Sequence, residues 1–480
     1  MSYVVGIDCS TTSAKAVVFD EAGACVAQGR AGLDTAMPRP GRHEQDPRRW
    51  WSATEQALRQ AIAAVGPDRV AAIGVTHQRE TFACLDRDGT ALRPAILWLD
   101  GRAGEQAAAA GTERVHRLSG KPPDITPALY KLMWLREHEP SIMDRMARVV
   151  DVGGYLLHEL TGRWVTGWGS ADPLGLLDMS TFEYAPELLD LAGIGAAQLP
   201  ELVPPGTVVG EFESIPVVAS VGDGQAAGLG ADVLAPGRAY LNLGTGIASG
   251  TPSPVYRAAR AFRTLASPLA GDYTLETLLS SGTYLVSWFA RQFDGGGEVP
   301  GEGLQAAAAA LPPGADGLMT LPYWNSAQTP NWDPFASGAV IGWRGVHGPA
   351  HLYRSLLEGI AFELRLQTEG VAAEQGTPIV EYRAMGGGSR SPLWTQMIAD
   401  VTGRPVTVCA ETETSALGAA IQAAAAVGLH GDLRASARAM TRFSRTVEPS
   451  SSAYEPFFEI YQRLYGQLAE TLAALHRTRE

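Results

Sequence analysis

The stretch Val4–Asp20, VVGIDCSTTSAKAVVFD, decides the fold class. Two apolar runs rich in β-branched residues flank a short polar turn, a pattern that predicts a β-hairpin. The turn lacks the usual Asn-Gly or Asp-Gly sequence and instead offers an aspartate, several hydroxyl side chains and a lysine. Hydroxyls, backbone N–H groups and lysine all donate hydrogen bonds to anions. The turn is therefore either a phosphate-facing loop or an ordinary solvated turn.

The composition indicates a globular protein with large cores. The chain has 480 residues, of which 45% are hydrophobic and 19% charged, and about 150 residues per domain predicts two to four domains. The net charge of −13 weighs against a nucleic-acid partner or an anionic membrane surface. The four cysteines form no CxxC pair, and we expect them to be reduced. Without a long apolar run or a secretory signal, we expect a cytoplasmic protein with no membrane partner.

Further strand-like runs follow the first hairpin. VAAIGVTH (70–77) and FACLD (82–86) are of this type, and a helix is predicted from Asp46 to about Val65, with a proline in its first turn. Strands that alternate with helices indicate a mixed α/β sheet. Later strand-like runs occur at 215–223 and 239–251.

The second set of runs repeats the first in outline. AYLNLGTGIASG (239–250) has the strand–turn–strand shape of the first hairpin, with Asn242 in the place of Asp8. The copies share little sequence identity, so the repeat is one of shape. It predicts two similar halves that each bring a hairpin to one side of a cleft, where ligands commonly bind.

Two glycine clusters invite a dinucleotide-binding interpretation. GDGQAAG (222–228) and GTGIASG (244–250) have the spacing GxGxxxG, and neither is predicted to precede a clear helix. The Rossmann fingerprint requires a helix N-terminus beneath the pyrophosphate, so a dinucleotide-dependent dehydrogenase is disfavoured. The chain also has no GxxxxGK[ST] loop, which excludes a P-loop nucleoside triphosphatase.

A third glycine cluster, Gly386–Gly388, follows the strand-like run VEYRA. Adjacent glycines let backbone approach a flat ring or a phosphate closely. Ser391 and Pro392 then read as the N-cap and first residue of an amphipathic helix. The segment is thus either part of a nucleotide site or a simple strand-to-helix turn.

The order of these motifs resembles that of the FGGY family of carbohydrate kinases over essentially the whole chain. Both family signature segments are nearly complete: one covers 131–138, preceded by Ala128 at a position that is usually Ser, Thr or Pro, and the other covers 338–358, with Trp343 where an aliphatic residue is usual. The other matching motifs are DxxTTSxK (8–15), QRET (78–81), WLDGR (98–102), GDGQAAG (222–228), LGTG (243–246), GGGSRS (386–391) and ETSALGAA (413–420).

The resemblance implies an α/β fold of two actin-like, ribonuclease-H-like domains with a catalytic cleft between them. On this basis residues 1–232 form a sugar-binding domain and 233–450 a nucleotide-binding domain, while 451–480 form a helix that packs back on the body. The implied small-molecule partners are a sugar and ATP, with Mg²⁺ as the metal cofactor. The oligomeric state is left open between a monomer and a homodimer.

The resemblance also assigns roles to individual residues. Asp223 is the expected base that accepts a proton from a sugar hydroxyl, and Asp8 is expected to orient Mg²⁺ through water. The expected sugar contacts are Gln78, Arg79, Glu80, Asp223 and Gln225. The expected nucleotide and phosphate contacts are Thr11, Thr12, Ser13, Lys15, Gly244, Thr245, Gly246, Gly386, Gly387, Gly388 and Ser391.

The substrate wall combines features of different family members. Gln78–Thr81 is similar to the glycerol kinase segment that binds glycerol hydroxyls, whereas Trp98–Arg102 is more similar to xylulokinases. No aromatic residue occurs at Thr126, and Gly224 is expected to leave room for a longer carbon chain. We therefore expect phosphorylation of a ketopentose, D-xylulose to D-xylulose 5-phosphate. The alternatives are a kinase of glycerol or another polyol or ketose, and a non-catalytic actin-like ATP-binding protein.

Overall fold

The computed structural model describes residues 2–478. Met1, at the start of the predicted segment 1–232, and residues 479 and 480, at the end of the predicted segment 451–480, lie outside the described residues. The chain folds around two large mixed sheets, one built from the first half of the sequence and one from the second.

The first large sheet has the strand order β14-β15-β6-β1-β2-β3, and a smaller sheet has the order β4-β5-β8-β7-β9. The elements of this half are β1 (Tyr3–Cys9), β2 (Ser13–Phe19), β3 (Cys25–Gly32), β4 (Ala36–Arg39), β5 (Arg42–Gln45), α1 (Pro47–Ala63), β6 (Val70–His77), β7 (Phe82–Leu85), β8 (Ala95–Ile96), α2 (Gly104–Ala110), α3 (Glu113–Ser119), α4 (Ala128–His138), α5 (Pro140–Arg145), β9 (Arg148–Asp151), α6 (Val152–Thr161), β10 (Val165–Gly167), α7 (Trp168–Ala171), β11 (Leu177–Asp178), β12 (Glu183–Tyr184), α8 (Pro186–Ala192), β13 (Glu201–Val203), β14 (Val208–Phe212), β15 (Ile215–Val218), β16 (Val221–Gly222) and α9 (Asp223–Gly230).

The second large sheet has the order β19-β20-β18-β17-β23-β24-β25. The elements of this half are β17 (Arg238–Leu243), β18 (Ile247–Ser253), β19 (Arg263–Ala266), β20 (Tyr273–Leu279), α10 (Thr283–Phe293), α11 (Glu302–Ala310), β21 (Met319–Leu321), β22 (Ala339–Ile341), α12 (Pro349–Gln375), β23 (Glu381–Met385), α13 (Pro392–Thr402), β24 (Val406–Cys409), α14 (Thr414–Ala426), α15 (Leu433–Met440), β25 (Phe443–Val447) and α16 (Glu455–Arg477).

The predicted shape repeat is present in the two sheets. β1 pairs antiparallel with β2 and parallel with β6. In the second sheet β17 pairs antiparallel with β18 and parallel with β23. Asp8 and Asn242 are each the penultimate residue of their strand, β1 and β17 respectively. The two hairpin turns therefore occupy equivalent positions in the two halves.

The predicted first helix is α1. Asp46 caps it by accepting a hydrogen bond from the Arg48 N–H, and Pro47 follows in the first turn, where a missing N–H costs no helical hydrogen bond. Its apolar face includes the buried residues Trp50 and Leu58, which belong to the same hydrophobic core as β1 and β2. This core holds the first hairpin in place from one side of the sheet.

Two helices tie the halves together. α14, from the second half, packs on β1 and β6 of the first sheet and on α9. A Cβ atom on Gly6 would lie 1.8 Å from the Ala416 carbonyl oxygen, and one on Gly418 would lie 1.8 Å from the Ala226 carbonyl oxygen. Only glycine allows backbones to approach so closely. Ala227 of α9 in turn belongs to a core that includes Tyr240 of the second sheet.

The expectation that GDGQAAG precedes no clear helix is wrong, because α9 begins within this segment, at Asp223. Gly222 precedes it in an extended conformation as the N-cap. A helix with this many glycines has a poor intrinsic propensity. Its extensive packing against α14 explains why it forms, since tertiary burial supplies most of the stability of helices in proteins.

The long helix α12 lies on the second sheet, together with α13 and the C-terminal helix α16. Glu363 of α12 is fully buried, and its Oε2 accepts hydrogen bonds from the hydroxyls of Tyr323 and Tyr461 at 2.8 and 2.6 Å. Among the helices of residues 2–478, none combines the length and apolar character that crossing a membrane requires.

Candidate active site

The turn after β1 brings an aspartate and several hydroxyls together. Asp8 lies at the end of β1, and its Oδ1 is buried without a hydrogen-bond partner in the described part of the chain. Burial and, to a smaller extent, the neighbouring Asp223 carboxylate raise the pKa of Asp8 to about 7. Two carboxylates that repel each other in a shielded site favour a bound cation.

The hydroxyls of the turn differ in their availability. Thr12 is exposed, whereas Ser13 is buried in β2. Thr11 Oγ1 donates to Gln78 Oε1 at 3.1 Å and accepts from Trp98 Nε1 at 3.0 Å. Thr11 thus ties the turn to Gln78 and Trp98 of the predicted substrate wall. Thr12 is the most exposed of the three hydroxyl residues.

Lys15 has a different partner from the one expected. Its Nζ donates to both carboxylate oxygens of Glu413, at 2.8 and 2.6 Å. Lys15 lies directly opposite Asp8 in the β1–β2 ladder, and its charge lowers the pKa of Asp8. In this structure Lys15 therefore acts on Asp8 electrostatically and is paired with Glu413.

The turn of the second hairpin, Gly244–Gly246, joins β17 and β18. Thr245 and Gly246 are exposed. The backbone carbonyls of Gly244 and Thr245 accept hydrogen bonds from the N–H groups of Thr283 and Gly282, at 2.8 and 2.9 Å. The turn is therefore rigidly supported from the start of α10 while its outer surface stays accessible.

The glycine cluster lies against the same strand end. A Cβ atom on Gly386, which has φ +81°, would lie 2.7 Å from Asn242 Oδ1, so only glycine fits at this position. Gly387 has open space beside it, whereas Gly388 packs against the ring of Trp394. Ser391 caps α13, with its Oγ accepting from the Trp394 N–H at 3.3 Å. Gly386–Gly388 thus form a backbone cradle beside the second hairpin, and the Ser391 hydroxyl is engaged as a helix cap.

Three of the predicted sugar contacts, Gln78, Arg79 and Glu80, follow β6 and are buried. Gln78 Nε2 donates to Gln45 Oε1 at 3.0 Å, which fixes the amide while its Oε1 accepts from Thr11. Arg79 Nε lies 2.9 Å from Asp223 Oδ1. Glu80 has φ +59°, a left-handed conformation that is uncommon outside glycine and typical of functional sites.

Asp223 is the first residue of α9, and its side chain is 38% exposed, more than any neighbour in this charged group. Its Oδ1 accepts from the Gly224 N–H at 2.8 Å. Burial raises the pKa of Asp223, and the positive charge of Arg79 opposes that rise. The carboxylate is thus held by one oxygen and remains partly exposed.

The expected space beside Gly224 is occupied. A Cβ atom at this position would lie 2.7 Å from Glu276 Oε1 and 2.9 Å from Arg79 Cζ. Glycine makes room here for these two side chains, and the expectation that it makes room for a longer substrate is wrong for this structure. Gln225 lies beside the same charged group, with Oε1 accepting from Arg79 Nη1 at 3.5 Å and Nε2 donating to the Gly169 carbonyl at 3.0 Å.

Sequence reasoning missed two residues of the site, Glu276 and Arg263, and gave no separate role to Trp98 of the WLDGR motif. Glu276 and Arg263 come from β20 and β19, and both contact the Arg79–Glu80 pair. Trp98, which is 39% exposed, is an aromatic side chain beside the phosphate-facing turn. A signal for Glu276 was present, since it is a carboxylate within the apolar strand YTLETLL, and a buried charge requires a partner.

The geometry fits a magnesium ion bound together with a nucleotide better than a metal ion coordinated by protein side chains alone. Within residues 2–478 no three His, Cys, Asp or Glu side chains cluster as metal ligands. Mg²⁺ keeps several waters and needs only one or two protein carboxylates when phosphates supply the rest. Asp8, with its unpartnered Oδ1, meets that requirement.

A two-domain α/β fold with an equivalent hairpin in each half is the architecture of an actin-like sugar kinase. The chain matches the N-terminal domain model of the FGGY family of carbohydrate kinases over residues 3–230 and the C-terminal domain model over residues 239–427. The protein therefore belongs to the FGGY family of carbohydrate kinases.

Similar proteins include kinases of two different substrates. A glycerol kinase of Methylorubrum extorquens strain PA1 is 32% identical over 451 residues, 88% of this chain and 89% of its own. A xylulose kinase of Escherichia coli strain K12 is 29% identical over 491 residues, 98% of this chain and 100% of its own.

Solved structures of similar shape include two described as xylulose kinases. The one from Rhodospirillum rubrum has a TM-score of 0.90 at 28% identity, covering 98% of this chain and 99% of its own. The one from Lactobacillus acidophilus has a TM-score of 0.93 at 24% identity, covering 99% of this chain and 100% of its own, a likeness of fold alone. These relatives leave the acceptor unresolved between a polyol and a ketose.

Proposed function

We propose that this carbohydrate kinase transfers the γ-phosphoryl group of ATP to the terminal hydroxyl of a ketopentose, converting D-xylulose to D-xylulose 5-phosphate. The observation that carries the proposal is the state of Asp223. One of its carboxylate oxygens is held by Arg79 and by the Gly224 N–H, while Oδ2 makes no hydrogen bond to residues 2–478. A half-restrained carboxylate in a cleft has the geometry of a general base.

In this mechanism Asp223 Oδ2 accepts the proton of the acceptor hydroxyl. The hydroxyl oxygen forms a bond to the γ-phosphorus, the bond from that phosphorus to the β,γ-bridging oxygen breaks, and ADP leaves with the electron pair. Phosphoryl transfer depends mainly on positioning and on neutralising charge. The positive charge of Arg79 opposes the rise that burial gives the pKa of Asp223, and so favours the ionised form of the base.

Asp8 is the residue proposed to hold Mg²⁺, through water, together with the nucleotide phosphates. When bound there, the ion neutralises charge on the phosphate oxygens. The pKa of Asp8, raised to about 7, leaves its carboxyl partly protonated at neutral pH in the absence of a cation. A cation beside Asp8 favours the ionised form, so nucleotide–metal binding and proton release at Asp8 are linked.

The proposed phosphate contacts come from both hairpins. Thr12 and the backbone of the first turn face the cleft from one side, and Thr245 with Gly246 faces it from the other. Gly386–Gly388 is proposed to receive the adenosine, because the backbone there is close to the second turn and unobstructed at Gly387. Backbone N–H groups in such turns bind phosphate oxygens well.

The choice of a pentulose is supported by the polar character of the wall near Glu80. Thr126, at the position without an aromatic, donates to Asp124 Oδ2 at 3.0 Å. Asp124 lies close enough to Glu80 and Arg263 for their charges to affect its pKa, which burial raises overall. Additional polar groups of this kind suit an acceptor with more hydroxyls than a triol.

Glycerol is the second candidate. The Arg79–Glu80 pair that it would require is present, and several glycerol kinases are 32% identical to this chain over most of its length. Trp98 also supplies an aromatic surface near the first turn, on which a short carbon chain could pack.

A panel of acceptors separates the candidates. ADP release is measured with Mg²⁺–ATP and each of several pentuloses, polyols and glycerol. We expect D-xylulose to exceed glycerol by at least about tenfold in kcat/KM, because polar groups of the site stay unpaired with the shorter substrate. If glycerol has a higher kcat/KM than every pentulose, glycerol is the acceptor substrate. Absence of acceptor-dependent ADP release throughout the panel would instead favour a non-catalytic ATP-binding protein.

A further inference from the structure

Four buried charged side chains form a continuous ionic chain beside Asp223. Arg79 Nη1 lies 2.9 Å from Glu276 Oε1, Glu276 Oε2 lies 2.7 Å from an Arg263 guanidinium nitrogen, and Arg263 Nη1 lies 2.5 Å from Glu80 Oε1. The side chains of Arg79, Glu276, Arg263 and Glu80 are 9%, 0%, 7% and 5% exposed. Three ion pairs thus link Arg79 to its neighbour Glu80 through two residues remote in sequence.

The chain of ion pairs joins the two halves of the protein. Arg79 and Glu80 follow β6 in the first half, whereas Arg263 and Glu276 are directly opposite each other in the β19–β20 ladder of the second half. The hairpin of β19 and β20 is itself fixed to the first half, since Lys121 Nζ donates to the Thr264 carbonyl at 2.6 Å. The second half therefore reaches directly into the acceptor site.

Arg79 and Glu80 each keep one polar atom that makes no hydrogen bond to residues 2–478, namely Nη2 of Arg79 and Oε2 of Glu80, which we call their free edges. One donor and one acceptor on adjacent residues match the needs of two neighbouring hydroxyls.

Arg79 is contacted by two carboxylates at once. Its Nε lies 2.9 Å from Asp223 Oδ1, and its Nη1 lies 2.9 Å from Glu276 Oε1. Glu276 therefore fixes the end of the guanidinium group while Nε faces the carboxylate proposed as the base.

We propose that Glu276 and Arg263 are positioning residues for the acceptor substrate, which they orient by holding Arg79 and Glu80 so that their free edges bind a vicinal diol. This inference rests on the proposed kinase function. It adds that the acceptor site is completed by the second half of the chain, and that a vicinal diol is the recognised feature of the acceptor.

The test compares Glu276→Gln with a matched control in the same half of the chain, Glu363→Gln. Both residues are fully buried glutamates that accept a tyrosine hydroxyl, but Glu363 has no arginine partner among the described residues. We expect Glu276→Gln to raise the acceptor KM by about tenfold or more while the ATP KM stays within about twofold. Glu363→Gln should leave both KM values within about twofold of wild type.

A double-mutant cycle distinguishes positioning from a general structural role. If Glu276 acts through Arg79, then Glu276→Gln should raise the acceptor KM no further once Arg79→Gln is present. Additive effects of the two substitutions would overturn the proposal, as would an equal change in the acceptor and ATP KM values. If Glu276→Gln does not fold by circular dichroism, Arg263→Lys carries the test, because a lysine cannot span both carboxylates as a guanidinium does.

The outcomes also separate this inference from the proposed function. Wild-type protein that phosphorylates no acceptor in the panel contradicts the proposed function itself. Only the positioning role is contradicted if the wild-type protein phosphorylates an acceptor and the acceptor KM is unchanged in Glu276→Gln, or in Arg263→Lys where that variant is used. Use of an acceptor without neighbouring hydroxyls, at the efficiency of D-xylulose, contradicts the vicinal-diol assignment.

Discussion

Lys15 Nζ lies 2.6 Å from Glu413 Oε2, and this ion pair joins the first hairpin to the loop that leads into α14. The two side chains are 22% and 25% exposed, so the pair is partly shielded from solvent. Lys15 lowers the pKa of Asp8, whereas Glu413 raises it. The pair therefore places opposite charges near the carboxyl proposed to face Mg²⁺. Substituting Lys15 or Glu413 alone should shift the pKa of Asp8 in opposite directions.

Lys15→Met should move the acid limb of the pH profile to higher pH. Asp8 already has a pKa of about 7, and loss of the positive charge raises it further, so less of the carboxylate is ionised at neutral pH. We expect kcat/KM at pH 7 to fall and to recover partly at higher pH. The measurement is kcat/KM for ATP as a function of pH at saturating Mg²⁺.

Glu413→Gln is the matched control for Lys15→Met. Removing this negative charge should lower the pKa of Asp8 and move the acid limb to lower pH. Shifts of the same sign in both variants would show that the ion pair acts through loop structure and not through the charge on Asp8.

Asp223→Asn tests the proposed base directly. The amide keeps the size of the side chain but cannot accept the proton, so turnover should fall about 10²–10⁴-fold, the usual contribution of a general base. ATP binding should persist, which a nucleotide-dependent rise in melting temperature would report. A variant that keeps more than about a third of wild-type turnover would exclude Asp223 as the base.

Gly224→Ala tests whether glycine is needed to admit Arg79 and Glu276. The new methyl group would lie 2.7 Å from Glu276 Oε1 and must displace one of the two side chains. We expect the acceptor KM to rise by about tenfold while nucleotide binding is retained. Gly303→Ala is the control, since this helical glycine has open space around it. An unchanged acceptor KM in Gly224→Ala would mean that the ionic chain absorbs the methyl group without consequence.

The hairpins and the alternation of strands and helices were predictable because they depend on local patterns. The runs around Asp8 and Asn242 form paired strands, and Pro47 marks the start of α1, as the sequence indicated. The helix at Asp223 was not predicted, because its stability comes from packing on α14, which no local pattern reveals.

The sequence predicted which residues lie in the candidate site, but not which of them form ion pairs with each other. Arg79 and Asp223 were expected in one site, and the structure brings them within 2.9 Å. The partners of Lys15 and Arg79 lie 398 and 197 positions away in the sequence, at Glu413 and Glu276. Ion pairs between such distant residues depend on how the two halves dock, so sequence spacing could not assign them.

The buried Glu363 predicts a pH-dependent stability. Burial raises its pKa to about 7 from a usual value near 4.5, because the charged form is poorly solvated in the core. A group whose pKa is raised on folding stabilises the protein fully below its unfolded-state pKa, and that contribution is lost as pH rises through the folded-state pKa. Stability from Glu363 should therefore decline between about pH 4.5 and 7, by about 3 kcal/mol at most.

Glu363→Gln should remove this decline. The amide resembles the protonated carboxyl in shape and can still accept the hydroxyls of Tyr323 and Tyr461 through its oxygen. We expect the difference in melting temperature between pH 5 and pH 8 to be smaller in the variant, which should melt above wild type at pH 8. The measurement is thermal unfolding across this pH range, with Glu369→Gln as a control, since Glu369 is 48% exposed. An identical pH dependence in wild type and Glu363→Gln would mean that Glu363 remains ionised in the folded protein and that its two tyrosine hydrogen bonds offset the cost of burying the charge.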